Sequence, residues 1–189
     1  VDVSDRANAA LVERFALSRS PMPLTLVVAP NGAITGIFSK QIQDEHLESA
    51  LVTPTMMKCM KSLQEDKLVF VCVRSSPKAA APACIKQMQA DPDFKARIVV
   101  VSMQLNDPNE GRLLEQMKLD PKTVQGAVAV LLAPPGVLIG KYGAAATADE
   151  VTIALNKAGK CCNDPNCKHN KGATPPRAKT SATTKRGVR

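Results

Sequence analysis

The segment KCCNDPNCKHN gathers Cys161, Cys162, Cys167 and His169 within nine residues. Three soft sulfurs and one imidazole are the donors of a tetrahedral zinc site or of copper(I). The intervening Asn163-Asp164-Pro165 is a turn that folds the two ends together. Adjacent cysteines depart from the usual zinc-finger spacing, however, and Cys162 and Cys167 close a small loop that a disulfide fits equally well. Metal ligation, a local disulfide and unpaired thiols stay open, the disulfide only in an oxidising compartment. A zinc or copper ion at this cluster is the one cofactor the residues suggest.

The other cysteines stand in ordinary structural contexts. In SSPKAAAPACIKQM, Cys84 falls near the start of a helix, where a thiol is more acidic than a free one. Cys84 is therefore the redox candidate, set against its reading as a small hydrophobe packed under the helix. Cys72 alternates with Phe70 on the strand-like run VFVCV, which points to burial. Cys59 lies in MMKCMKSLQ, where Met56, Met57 and Met60 recur at near-helical spacing; a methionine-lined core face explains these better than a copper site. His46, in a helix's first turn without a partner at ligand spacing, reads as a surface residue. No GxxxxGK[ST], GxGxxG, HExxH or GxSxG occurs, so nucleotide binding, zinc proteolysis and serine hydrolysis have no support, and no small-molecule substrate is indicated.

The elements that carry these residues repeat. Residues 23–51 align without a gap to residues 127–155 at an offset of 104. The identities are structural punctuation: Ala29/Ala133, Pro30/Pro134, Gly32/Gly136, Gly36/Gly140, Ala50/Ala154 and Leu51/Leu155, with an aromatic at Phe38/Tyr142. In the first copy the apolar run 24–29 and the turn Pro30-Asn31-Gly32 predict a hairpin into residues 33–38. A helix over residues 43–51 follows, with Asp44 and Glu45 in its first turn and Leu47, Ala50 and Leu51 on one face. The second copy repeats this, with Thr147 as N-cap and Val151, Ala154 and Leu155 facing inward. Ahead of the second copy lie a strand over 67–73, a helix over 83–90, a strand over 97–105 and a helix over 108–119. That order predicts an α/β fold, with a parallel βαβ half, an antiparallel hairpin half and helices on both faces of one sheet.

Composition fits this organisation. The chain has 189 residues, 44% of them hydrophobic, enough to fold around a core without disulfides. Its charge of +8 is concentrated at one end: residues 168–189 carry seven basic residues and no acid, which leaves residues 1–167 at +1. This tail is poor in large apolar residues and reads as a disordered extension, an anionic surface being its available partner. With four Phe, one Tyr and no Trp there is little to stack on bases, which argues against nucleic acid. No apolar run reaches about 18 residues, so no membrane span is expected, and the N-terminus shows no signal-peptide pattern.

The order βαβα followed by ββα resembles the thioredoxin-like family up to about Gly159. PMPLTLVVAPNG, residues 21–32, is similar to the family's cis-proline segment, with Pro23 at the cis-Pro position; in the second copy Ala127 stands there. The resemblance implies a three-layer thioredoxin-like sandwich, one complete copy plus a C-terminal half copy. It divides the chain into a partial unit over 1–61, a complete domain over 62–160, the Cys/His cluster over 161–170 and the basic tail over 171–189. A front half for the first copy would begin about forty residues before Val1 on the 104-residue offset. The family's dithiol chemistry needs CxxC at the start of the first helix. No CxxC exists here: if Cys84 occupies the second cysteine's position, Ala81 occupies the nucleophile's. The expectation is a non-catalytic scaffold, a structural or protein-interaction module with a protein partner. By the habit of the family it sits on the extracytoplasmic, periplasmic side of a bacterial cell. The alternatives are a thiol-disulfide oxidoreductase relative and a zinc- or copper-binding protein.

Overall fold

A computed structural model describes residues 2–39 and 42–159. The protein is mixed α/β. Helix α1 (Ala9–Arg14) and strands β1 (Thr25–Val28) and β2 (Ile34–Phe38) come first, then α2 (Asp44–Ala50) and α3 (Pro54–Gln64). There follow β3 (Leu68–Arg74), α4 (Ala83–Ala90), β4 (Ile98–Gln104), α5 (Gly111–Gln116), β5 (Ala127–Ala133), β6 (Val137–Tyr142) and α6 (Ala148–Ala158).

The last four strands form one sheet in the order β4-β3-β5-β6. β3 runs parallel to β4, from Leu68 opposite Ile98 to Arg74 opposite Gln104, and antiparallel to β5; β5 is antiparallel to β6. Central β3, LVFVCVR, is buried in its first six residues. An unbroken apolar run of this kind suits a strand covered on both faces. On one face Val69, Val71 and Val73 pack with Val130 and Leu132 of β5, Cys59 and Leu63 of α3, and Leu113 and Leu114 of α5. On the other, Leu68, Phe70 and Cys72 pack with Leu131, with Cys84, Ile85 and Met88 of α4, and with Val151 of α6. Each large apolar side chain so buried stabilises the fold by about 1.5–3 kcal/mol.

β1 and β2 form a separate two-stranded sheet. It is tied to the rest through α3: the Gln64 side chain donates to the Ile34 carbonyl (2.7 Å) and accepts from the Ile34 N–H (2.9 Å). Asn31 Nδ2 donates to the Met57 carbonyl at 2.8 Å. α3 therefore runs through the boundary expected between residues 61 and 62 and serves both units. Thr53, whose hydroxyl accepts from Met56 N–H, and Pro54 start this helix as sequence rules require.

The two hairpins are the same object in residue-level detail. Thr25 faces Phe38, Leu26 faces Ile37, Val27 faces Gly36 and Val28 faces Ile34. At an offset of 104, Ala129 faces Tyr142, Val130 faces Lys141, Leu131 faces Gly140 and Leu132 faces Leu138. The register irregularity falls between Val27 and Val28 in one and between Leu131 and Leu132 in the other. Gly36 and Gly140 are required in the same way: a Cβ at either would lie 2.7 Å from the aromatic side chain two residues on, Phe38 or Tyr142.

Candidate functional site

Two places compete for a functional role, the start of α4 and the open side of the first hairpin. The sequence puts Cys84 at the second position of α4, behind Pro82 as N-cap. The chain does not leave it at the surface. Cys84 is buried against Phe70, Cys72, Leu131 and Tyr142, and Ala81 packs at the edge of the same cluster. Burial pushes its thiol up from the ordinary value, outweighing the backbone N–H groups of Ile85 and Cys84 that act the other way, with Glu150 and Cys72 adding to the rise. A nucleophilic thiol needs the opposite shift. Cys59, Cys72 and Cys84 are all free and buried, and no two of them are joined.

Tyr142 closes this cluster. Its hydroxyl is buried with no hydrogen-bond partner, and burial, then the neighbouring Cys84 and Glu150, hold the phenol above its ordinary value. Sequence reasoning marked Tyr142 only as the aromatic matching Phe38. Glu110 was not marked at all. It is buried beside the start of α3, where its Oε1 accepts the Thr55 N–H at 3.2 Å and its Oε2 has no partner. The two residues are 55 positions apart, and no local pattern signals such a contact. Glu110 also helps burial push the Cys59 thiol up to about 12. Among the described residues no three His, Cys, Asp or Glu side chains come together as metal ligands.

The Met22–Pro23 peptide bond is cis, directly ahead of β1. His46 is exposed, stacks on Phe38 with ring centroids 5.3 Å apart, and accepts the Gln43 N–H through Nδ1 at 3.4 Å. Cys161, Cys162, Cys167 and His169 lie outside the described residues, as does the basic tail. Among the described residues no helix is long and apolar enough to cross a membrane.

The open side of the first hairpin is the second place. Of residues 2–39 and 42–51, only Ala33 and Ala50 are buried hydrophobics, whereas Val3, Leu11, Met22, Val28, Ile37, Leu47 and Leu51 are exposed. The apolar face expected on α2 is there, but only Ala50 of it is covered; Leu51 is 71% exposed. Between α1 and β1 runs a groove of about 310 Å³ lined by Leu11, Phe15, Leu17, Leu24, Leu26 and Val28 among others. Exposed apolar surface gathered in one region marks an interaction site more often than a catalytic one. No protein family, curated protein or solved structure matches the chain in comparison.

Proposed function

We propose that this protein is a non-catalytic, thioredoxin-like scaffold that works as a protein-interaction module, with the unit before α3 as its docking face. The observation that carries the reading is a difference between equivalent residues. Val151 of α6 is fully buried, while Leu47, its counterpart in α2 at the 104-residue offset, is 43% exposed. The sheet order β4-β3-β5-β6, with a parallel βαβ half and an antiparallel hairpin half, supports the thioredoxin-like assignment. The absence of CxxC and the inward, less acidic Cys84 thiol support the non-catalytic one. Half a unit made of a two-stranded ribbon and short helices is marginal alone, so its apolar face calls for cover from the complete domain, from another chain or from a segment upstream of it.

The test measures reduction of insulin disulfides and turnover of peroxide by the purified chain, next to Cys84→Ser. Neither activity should rise above the uncatalysed rate. Activity that disappears in Cys84→Ser would overturn the non-catalytic reading.

A further inference from the structure

We propose that the outer edge of β4 takes up an extended, acidic segment of a partner protein, which adds as a further strand to the four-stranded sheet and sets its carboxylates against Lys58 and Lys61 of α3. This edge belongs to the second copy, whose strands β3 to β6 are all in place. It is separate from the face assigned to the unit before α3, and either assignment can fail without the other.

Backbone alternation leaves half of β4 free to pair. The Leu68 N–H donates to the Arg97 carbonyl at 2.7 Å, and the Leu105 N–H donates to the Arg74 carbonyl at 2.8 Å. In a parallel ladder these two bonds make the odd-numbered residues of 97–105 the ones tied to β3, so Val100 and Ser102 turn their N–H and C=O groups the other way. Among the described residues no strand lies on that side.

Sheets ordinarily protect such an edge with charge, proline, a bulge or short length. β4 has none of these. It is seven residues long, IVVVSMQ, without charge or proline, and its register with β3 runs unbroken from Leu68 opposite Ile98 to Arg74 opposite Gln104. The opposite edge of the sheet, β6, carries Lys141, and its ladder with β5 is irregular between Leu131 and Leu132. One edge is blunted and the other is left able to pair.

A groove of about 350 Å³ runs along the open edge, lined by β4 from Val99 to Ser102 and, from the α3 side, by Asn31, Lys58, Lys61 and Ser62. The two ammonium groups are the only charges on its lining. Lys61 meets Glu65 at 3.1 Å in an exposed pair, which is worth little, whereas Lys58 makes no ion pair among the described residues. Charge therefore selects the occupant. Residues 160–189 of the chain hold eight basic residues and one acid, Asp164, so they would bring repulsion to this groove. A second copy pairing β4 antiparallel with β4, about a twofold axis through the sheet, would put both α3 helices on one face and set Lys58 and Lys61 against their mates. A partner strand with Glu or Asp at alternate positions meets neither penalty. Main-chain hydrogen bonds hold it and the lysines select it, over the five to seven residues that strands usually span.

The probe is a fluorescein-labelled peptide, Thr-Glu-Val-Glu-Val-Thr-Val, titrated into the full chain; in the control peptide both glutamates are lysine. The expected result is saturable binding that the control weakens by at least about tenfold. Amide exchange should slow at Val100 and Ser102 and stay unchanged at Val101, whose N–H is already inside the ladder. Lys58→Glu should weaken the glutamate peptide about tenfold and strengthen the lysine peptide, a reversal that a merely destabilised variant cannot produce. Lys58 is exposed, while Cys59 and Leu63 form the buried face of the helix. Lys157→Glu, the same change of charge on α6 across the sheet, should leave binding of both peptides unchanged.

Equal binding of the two peptides, or a loss in Lys58→Glu without the reversal, overturns the proposal. So does exchange at Val100 and Ser102 that is as slow in the chain alone as at Val101, since the chain would then cover its own edge. A dimer in sedimentation that the glutamate peptide fails to displace overturns it as well, because the occupant would be a second copy.

Discussion

Among the described residues one hairpin-and-helix design occurs twice, and the two copies are covered to different degrees. The two hairpins share turn, register, irregularity and glycine–aromatic contact. The helices that follow start at equivalent positions, with Gln43 and Thr147 as N-caps. What differs is everything that would cover them. In the second copy β3, β4 and α4 bury the hairpin and α6 from both sides; in the first, among the described residues, α2 and α3 reach β2, and Val28, Ile37, Leu47 and Leu51 stay exposed. The same local pattern thus yields a core in one place and an apolar surface in the other. Local sequence decides shape, and the neighbour decides whether that shape is buried.

The sharpest way to break this comparison is to truncate matched residues. Leu131→Ala removes a fully buried side chain under β3 and should cost about 3 kcal/mol in urea unfolding. Its counterpart Val27→Ala, on a half-buried strand face, should cost less than about 1 kcal/mol. Equal losses would mean that the first hairpin is covered as well as the second.

Alkali should separate the copies without any mutation. The Cys59 thiol, ordinarily near 9.0, is pushed up to about 12 by burial and then by Glu110. The folded state thus keeps a proton that the unfolded state releases above its own lower value. Stability from this group is full below about pH 9 and falls as pH rises toward 12. At about pH 10.5 the loss is at most about 2 kcal/mol, and raised values at Cys84 and Tyr142 act in the same direction. Because Cys59 packs into the complete copy's core, the alkaline loss should follow probes on β3 and β5. Cys59→Ala should flatten the slope between about pH 9 and 10.5; an unchanged slope would assign it to other groups.

Much of this arrangement was legible in the sequence, for identifiable reasons. Pro30-Asn31-Gly32 and Pro134-Pro135-Gly136 are turn residues whose chemistry dictates hairpins, and Gly32 and Gly136 both take positive φ. The strand LVFVCVR and the helix from Ala83 to Ala90 announce themselves by run and period. Periodicity marks an apolar face on α2 but is silent on whether anything lies against it, which is why Leu47 and Leu51 read as core and stand exposed. At Cys84 the rule that helix N-termini acidify thiols meets desolvation, which wins because the side chain points inward. The Gln64–Ile34 clamp and the Glu110–Thr55 contact span 30 and 55 residues and leave no local trace.

A finer test exchanges leucine for valine logic on the two helices. Leucine truncation normally costs more than valine truncation, yet here the order should reverse. Val151→Ala empties a fully buried site and should cost about 1.5 kcal/mol, whereas Leu47→Ala, 43% exposed, should stay within about 0.5 kcal/mol.

The smallest expected difference lies at the helix starts. Thr147 accepts the Glu150 N–H at 3.3 Å and its own N–H donates to Glu150 Oε2 at 3.1 Å, a reciprocal pair that fixes α6. Thr147→Ala should cost about 1 kcal/mol, the usual worth of such a cap. At the matching position the Gln43 N–H reaches His46 Nδ1 only at 3.4 Å, near the limit of a useful hydrogen bond. Gln43→Ala keeps this backbone N–H and removes no side-chain cap, so it should change stability by no more than about 0.3 kcal/mol. A larger loss would show that α2 depends on its cap, as a helix without tertiary cover should, and would shift the weight of the comparison from missing neighbours to local stability.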